Sequence, residues 1–187
     1  DTTATWTTSD TTIATVSDAG LVTSVADGTA TIAATSGSVS GTATVTVQIP
    51  ASVELSDTLL TFSVLGDTTQ LTATVKVADG TAIPGVTVTW ATTTPTVATV
   101  SDAGLVTSVG NGTTSILAVY GSINGAATVT VALVVSTLEL SPSGTNLSSV
   151  GDTITLTATV KDSGGSTIPD ATVTWATSDT LIATVSA

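Results

Sequence analysis

The sequence predicts an all-β protein made of tandem antiparallel β-sandwiches, and three observations carry that prediction. The first is composition. About a quarter of the 187 residues are Thr, 41% are hydrophobic and only 9% are charged. Val, Thr and Ile are stiff at χ1 and suit a pleated surface, whereas the helix formers Glu, Lys, Arg, Gln and Met are nearly absent. The second is period. In Leu71, Ala73, Val75 and Val77, and again in Val86, Val88 and Trp90, apolar side chains alternate with Thr or Lys, as in strands with one wet face. The third is repetition. Trp6, Trp90 and Trp175 stand in ATWTTSDTTIATVS, VTWATTTPTVATVS and VTWATSDTLIATVS, 84 and 85 residues apart, so the period is one small domain.

Taken in chain order, the elements divide the sequence in three. Residues 1–50 hold the Trp6 strand, the run SDAGLVTSV at Ser17 to Val25 and a closing stretch that ends GTATVTV; they read as the back half of a repeat. Residues 51–134 are one complete repeat. It opens with Val53-Glu54-Leu55-Ser56, continues through Gly66-Asp67-Thr68, the Leu71 to Lys76 strand, Ile83-Pro84 and Trp90, and closes through Ser101 to Val109 and a second long stretch. Residues 135–187 are a front portion. There Leu138-Glu139-Leu140-Ser141, Gly151-Asp152-Thr153, Leu156 to Lys161, Ile168-Pro169 and Trp175 answer the same features. Turn residues punctuate the strands at Asp79-Gly80, Ser101 to Gly104, Asn111-Gly112, Asn124-Gly125 and Gly164-Gly165. About seven short strands per ~85 residues, with one Trp each, read as a two-sheet sandwich of immunoglobulin type. The chain has no Cys, so packing alone must hold the core, and Trp6, Trp90 and Trp175 are assigned to it rather than to a sugar-stacking surface.

Composition also excludes functions. Without Cys or His there is no thiol nucleophile, no Ser/His/Asp relay, no disulfide and no zinc or copper site of the usual type. Lys76 and Lys161 are the whole cationic inventory against 14 acids, so nucleic acid is not an expected partner. The longest apolar run, Val131 to Val135, is far short of the ~20 residues a membrane helix needs. The only glutamates, Glu54 and Glu139, are repeat equivalents a domain apart, which leaves no carboxylate pair for glycoside hydrolysis. No enzyme is expected. The net charge of −12 favours repulsion between neighbouring copies and hence solubility.

Asp10, Asp18, Asp27, Asp67, Asp102, Asp152, Asp170 and Asp179 sit in predicted turns, where Asp caps its own backbone. A structural Ca2+ ion at an interdomain hinge is the one metal considered; no D-x-D-x-D-G loop occurs, and no cofactor is expected. Asn111-Gly-Thr113 and Asn146-Leu-Ser148 are glycosylation sequons, the first of which is more simply a hairpin turn. Lys76 and Lys161, near strand ends, are expected to be solvated rather than cross-linked to Asn or Asp.

The run from the strand Trp through ATVS, the GLVTSV turn and strand, the Asp/Asn-Gly-Thr turn and the closing TATVTV strand resembles the group 2 bacterial immunoglobulin-like domain. The resemblance covers nearly the whole chain. It implies a β-sandwich and an extracellular setting on a bacterial cell or virion surface, since such domains recur in tandem in intimin- and invasin-type adhesins. It does not imply an enzyme. Two functions are carried forward: a structural stalk, fibre or filament that spaces or supports an adhesive or other tip, and a binding module for a host receptor, matrix protein or surface polysaccharide. The partners expected are neighbouring repeats of the same chain or of identical chains, and a host or surface glycan or protein. Near-identity of the repeats favours the first, because a dedicated site would make one copy chemically odd, and none reads so.

The joints are expected to be short. Ala43 to Val47 runs through Gln48-Ile49-Pro50 into Ser52, and Val129 to Val131 runs through Ala132 to Ser136 into Leu138, with no Gly/Ser slack. Residues 170–187 repeat residues 1–18, so the two partial repeats together contain every strand of one domain. Either the chain is a window onto a longer array, which is the preferred reading, or its ends complement one another between molecules.

Overall fold

A computed structural model describes residues 4–186. Among them there are sixteen strands and no helix, so none that is long and apolar enough to cross a membrane. The chain divides into two compact units: Asp1–Ser56 with Thr72–Thr89 and Ala118–Gly125, and Asp57–Leu71 with Trp90–Leu117 and Ala126–Ala187.

In the first unit, β1 (Thr5–Thr8), β4 (Gly28–Ser36) and β5 (Val39–Val47) form an antiparallel sheet in the order β1-β4-β5. The register sets Trp6 opposite Ala34, Thr29 opposite Thr46 and Thr31 opposite Thr44. Alternation then sends Ala30, Ile32 and Val47 inward and the Thr residues between them outward. A hairpin of β2 (Ala14–Val16) and β3 (Val22–Ser24) covers that inner face, with Ala14, Ala30 and Val47 at the centre and Ile13, Val22 and Val45 around them. A further antiparallel pair, β6 (Ser52–Leu55) with β9 (Ala73–Lys76), buries Val53, Leu55 and Val75 on one side.

The second unit contains β7 (Leu59–Phe62), β8 (Thr68–Gln70), β11 (Ala98–Val100), β12 (Leu105–Ser108), β15 (Val135–Ser141) and β16 (Thr157–Asp162). It also holds most of β10 (Thr89–Thr92), β13 (Gly112–Tyr120) and β14 (Ile123–Val131). The sheets run β10-β13-β14-β7, β11-β12-β8 and β15-β16. Leu71, Ile116, Val106 and Val129 are its largest fully buried hydrophobic side chains. Thr114, also buried, accepts the Thr94 N–H at 2.9 Å and lies 3.0 Å from the Thr93 hydroxyl, so its oxygen is partnered as burial demands.

The protein is all-β, as composition and period require. Four details differ from the sequence reading. Nine strands, β6 to β14, fill residues 51–134 instead of about seven, and Ser56–Thr58 separate β6, which pairs with β9, from β7, which pairs with β14. That second pairing is parallel, Thr128 opposite Leu59, so the sheets are not purely antiparallel. The strand expected from Val86 begins only at Thr89, because the turn at Pro84-Gly85 (φ +74° at the glycine) delays the return to the sheet. The Trp175 segment forms no strand. In the other copies the Trp strand pairs with β4 or β13, and among the described residues no counterpart of either follows Trp175.

Candidate functional site

The three Trp are half-buried, and their surroundings explain a repeated glycine. Gly20 (φ +78°) and Gly104 (φ +83°) each end an SDAG turn beneath a Trp ring. A Cβ on Gly20 would lie 2.8 Å from Trp6, and one on Gly104 would lie 2.9 Å from Trp90 and 2.5 Å from the Leu71 carbonyl oxygen. Glycine is required there twice over, by backbone conformation and by the close approach of the ring.

The turn carboxylates behave in three ways. Asp10 accepts the Thr12 N–H at 2.8 Å and its hydroxyl at 2.6 Å, and these bonds, the side-chain one first, hold its carboxyl below the usual carboxylate range. Asp79 and Asp179 cap Thr81 and Leu181 in the same i to i+2 geometry, and Asp152 accepts the N–H groups of Ser148 and Ser149. In the SDAG turns the expectation is corrected. Ser17 and Ser101, not Asp18 and Asp102, accept the N–H groups of Leu21 and Leu105, both at 3.1 Å, because the serine occupies the turn's first position. Asp27 reaches further, to the Ile49 N–H in the segment after β5. Its repeat equivalent is Asn111, whose Oδ1 accepts the Leu133 N–H at 2.7 Å after β14. The sequon asparagine therefore ties down the segment after β14. Among the described residues no three His, Cys, Asp or Glu side chains converge as a metal site would require.

Two features escaped the sequence reading. The lysines are ion-paired: Lys76 to Glu54, and Lys161 to both carboxylate oxygens of Glu139 at 2.8 Å. The signal was available, since Glu and Lys recur 22 residues apart in both copies. The second is Asp162. It is 2% exposed and accepts three backbone N–H bonds, from Leu65 at 2.8 Å, Ser166 at 2.9 Å and Gly164 at 3.0 Å. The Leu65 bond is the largest cause holding its carboxyl below the usual range, against the opposing effect of burial. Its repeat equivalent is Val77, so one copy is chemically odd after all.

Around Val77 the first unit has an open cleft of about 200 Å3, lined among others by Asp27, Thr46, Gln48, Asp79 and Thr81. The cleft carries two carboxylates and no nucleophile–base pair, and supports no catalytic assignment.

The family match agrees with this architecture. The model of the bacterial Ig-like domain (group 2) matches residues 1–47 and 51–131. Ice-binding protein 1 of Shewanella frigidimarina is 36% identical over 186 residues, covering 96% of this chain but 20% of its own length. The chain thus spans about a fifth of that relative. Among solved structures, the S-layer protein SbsC aligns over 92% of this chain and 25% of its own, at 22% identity and a TM-score of 0.44. The Escherichia coli adhesin FdeC aligns over 80% and 55%, at 21% identity and a TM-score of 0.44. With two separate matches that together span most of its length, the chain belongs to the bacterial Ig-like domain family, group 2.

Proposed function

We propose that this chain is a structural repeat region of an extracellular bacterial surface protein, divided at 1–50, 51–134 and 135–187, that spaces or supports an adhesive or other tip. The observation that carries the proposal is the repeated clip: Asp27 to the Ile49 N–H and Asn111 to the Leu133 N–H tie down equivalent residues of the two linkers. The first linker is also held from its far side, where the Ala51 N–H donates to the Lys76 carbonyl at 2.8 Å. A linker whose backbone is bonded at both ends is suited to transmitting position rather than to free flexing. Family membership supports the surface setting; Trp6 and Trp90, half-buried on Gly20 and Gly104, and Trp175, also half-buried, support a packing role for the three. The partners of this reading are neighbouring repeats, and it involves no catalysis. Small-angle scattering on chains of increasing repeat number tests it. Rods that lengthen by roughly 35–45 Å per repeat are expected from the ~3.3 Å rise of strand residues, whereas compact or freely jointed particles would overturn the proposal.

One observation favours the second reading, a binding module. The outward face of β1-β4-β5 presents Thr29, Thr31, Thr35, Ser40, Thr44 and Thr46, all exposed, with no charge among them. Across strands these hydroxyls repeat at about 4.8 Å and along them at about 6.7 Å, an uncharged grid matched to a flat, ordered surface. Ice, named for the Shewanella relative, is the first such surface to test. Partition of the chain into slowly grown ice, lost in Thr31→Lys, would favour this reading, and exclusion equal to that of the variant would remove it.

A further inference from the structure

The buried carboxylate of Asp162 lies outside the family match at 51–131, and its shortest bond reaches a residue inside it, Leu65, 97 positions earlier. Leu65 belongs to a loop that is already held. The Ser108 hydroxyl donates to the Val64 carbonyl at 2.7 Å, the Gly66 N–H donates to the Ser108 carbonyl at 3.1 Å, and the Val134 N–H donates to the Ser63 carbonyl at 3.3 Å. Beside it, Gly164 presses so closely on Val64 that a Cβ there would sit 2.5 Å from Val64 Cγ1. Gly164 has no positive φ to account for the choice of glycine, so contact rather than conformation explains it.

We infer that Asp162 is a positioning residue that locks the segment after Val134 onto the Ser63–Gly66 loop of the same unit, by capping its own turn and that loop with one carboxylate. A carboxylate is suited to this because its two oxygens offer about four acceptor sites, enough for three N–H groups drawn from two parts of the chain. A valine, as at position 77, could fill the volume but would leave the Leu65, Gly164 and Ser166 amides without acceptors. The inference concerns the joint itself and stands or falls independently of the surface role.

Native-state amide exchange measured by NMR on the 187-residue chain tests it. In Asp162→Val the Leu65 amide should exchange about tenfold faster or more, as expected on loss of a hydrogen bond to a charged acceptor, and in Asp162→Asn by less. Leu65 exchange that stays at the wild-type rate while Gly164 and Ser166 speed up would overturn the inference, reducing Asp162 to a local turn cap. Because Asp162→Val could also unfold its own turn, a second pair leaves the carboxylate in place. Gly164→Ala should speed Leu65 exchange through its clash with Val64, and Val64→Ala in that background should restore protection. Additive effects of the two substitutions, with no restoration, would also overturn it.

Discussion

The turns at Val77–Thr81 and Asp162–Ser166 have the same backbone and different caps. In both, the first residue's N–H donates to the carbonyl of the fifth at 2.9 Å, and the fourth residue's N–H returns to the first carbonyl at 3.0 Å. In both, the isoleucine that follows donates to the valine two residues before the turn. The cap has moved. In the turn at Val77–Thr81, Asp79 holds the Thr81 amide from an exposed position, and Val77 fills the buried one. In the following segment Asp162 takes the buried position and caps Ser166, which releases the third position to be Gly164 and lets Val64 approach. The difference teaches that a repeat can keep its turn while changing whether that turn reaches beyond itself, by moving one carboxylate two residues.

The comparison can be broken or sharpened by substitution. The largest effect is expected where the strands leading into the two turns begin. Leu71 is 1% exposed and Leu156 only half-buried, so Leu71→Ala should cost about 2–5 kcal/mol in chemical denaturation and Leu156→Ala clearly less. Equal losses would mean that the two segments are packed alike. Next come the glycines. Gly104→Ala forces a Cβ onto a carbonyl oxygen at positive φ and should cost about 1–3 kcal/mol, whereas Gly164→Ala meets side chains alone, Val64 and less closely the Asp162 carboxylate, at an unstrained φ and should cost less in overall melting.

Acid should separate the two caps. The depressed Asp162 carboxyl contributes stability that is fully present above the unfolded carboxylate value of about 3.9 and is lost as pH falls through its lower folded value. Melting temperatures recorded downward from pH ~5 should therefore drop more steeply in the wild type than in Asp162→Asn, which has no such group to protonate. Asp79→Asn should flatten the same limb far less, since its cap is exposed. The smallest effect concerns the features the turns share. Breaking Glu54–Lys76 or Glu139–Lys161 should change stability by about 0–1 kcal/mol, and the change should shrink in high salt. A larger loss at one pair than at the other would show that the two copies differ on their wet faces as well.

Much of this protein was legible because its signals are short-range. Alternation along Leu71 to Val77 placed Val75 inward, and the Asp-Gly and Asn-Gly pairs placed the turns, since both depend on residues a few positions apart. The SDAG turn was located but its cap misassigned, because Ser and Asp compete for the same amide and only the backbone path decides between them. The missing strand at Trp175 reflects the same limit: strand propensity without a pairing partner leaves the backbone groups unmatched.

By itself, then, the sequence determined the all-β class, the repeat of about 84 residues and the place of the SDAG turns, because repetition, periodicity and turn chemistry are written into local spacing. Only the tertiary structure decided that β7 joins β14 in parallel, that Asn111 ties down the segment after β14, and that Asp162 is a cap shared with a loop 97 residues away. Each of those depends on a backbone amide brought to a side chain or a strand edge from a distant part of the chain. A hydrogen bond is recognised only when donor and acceptor share a position in space, and no spacing along the sequence specifies that meeting.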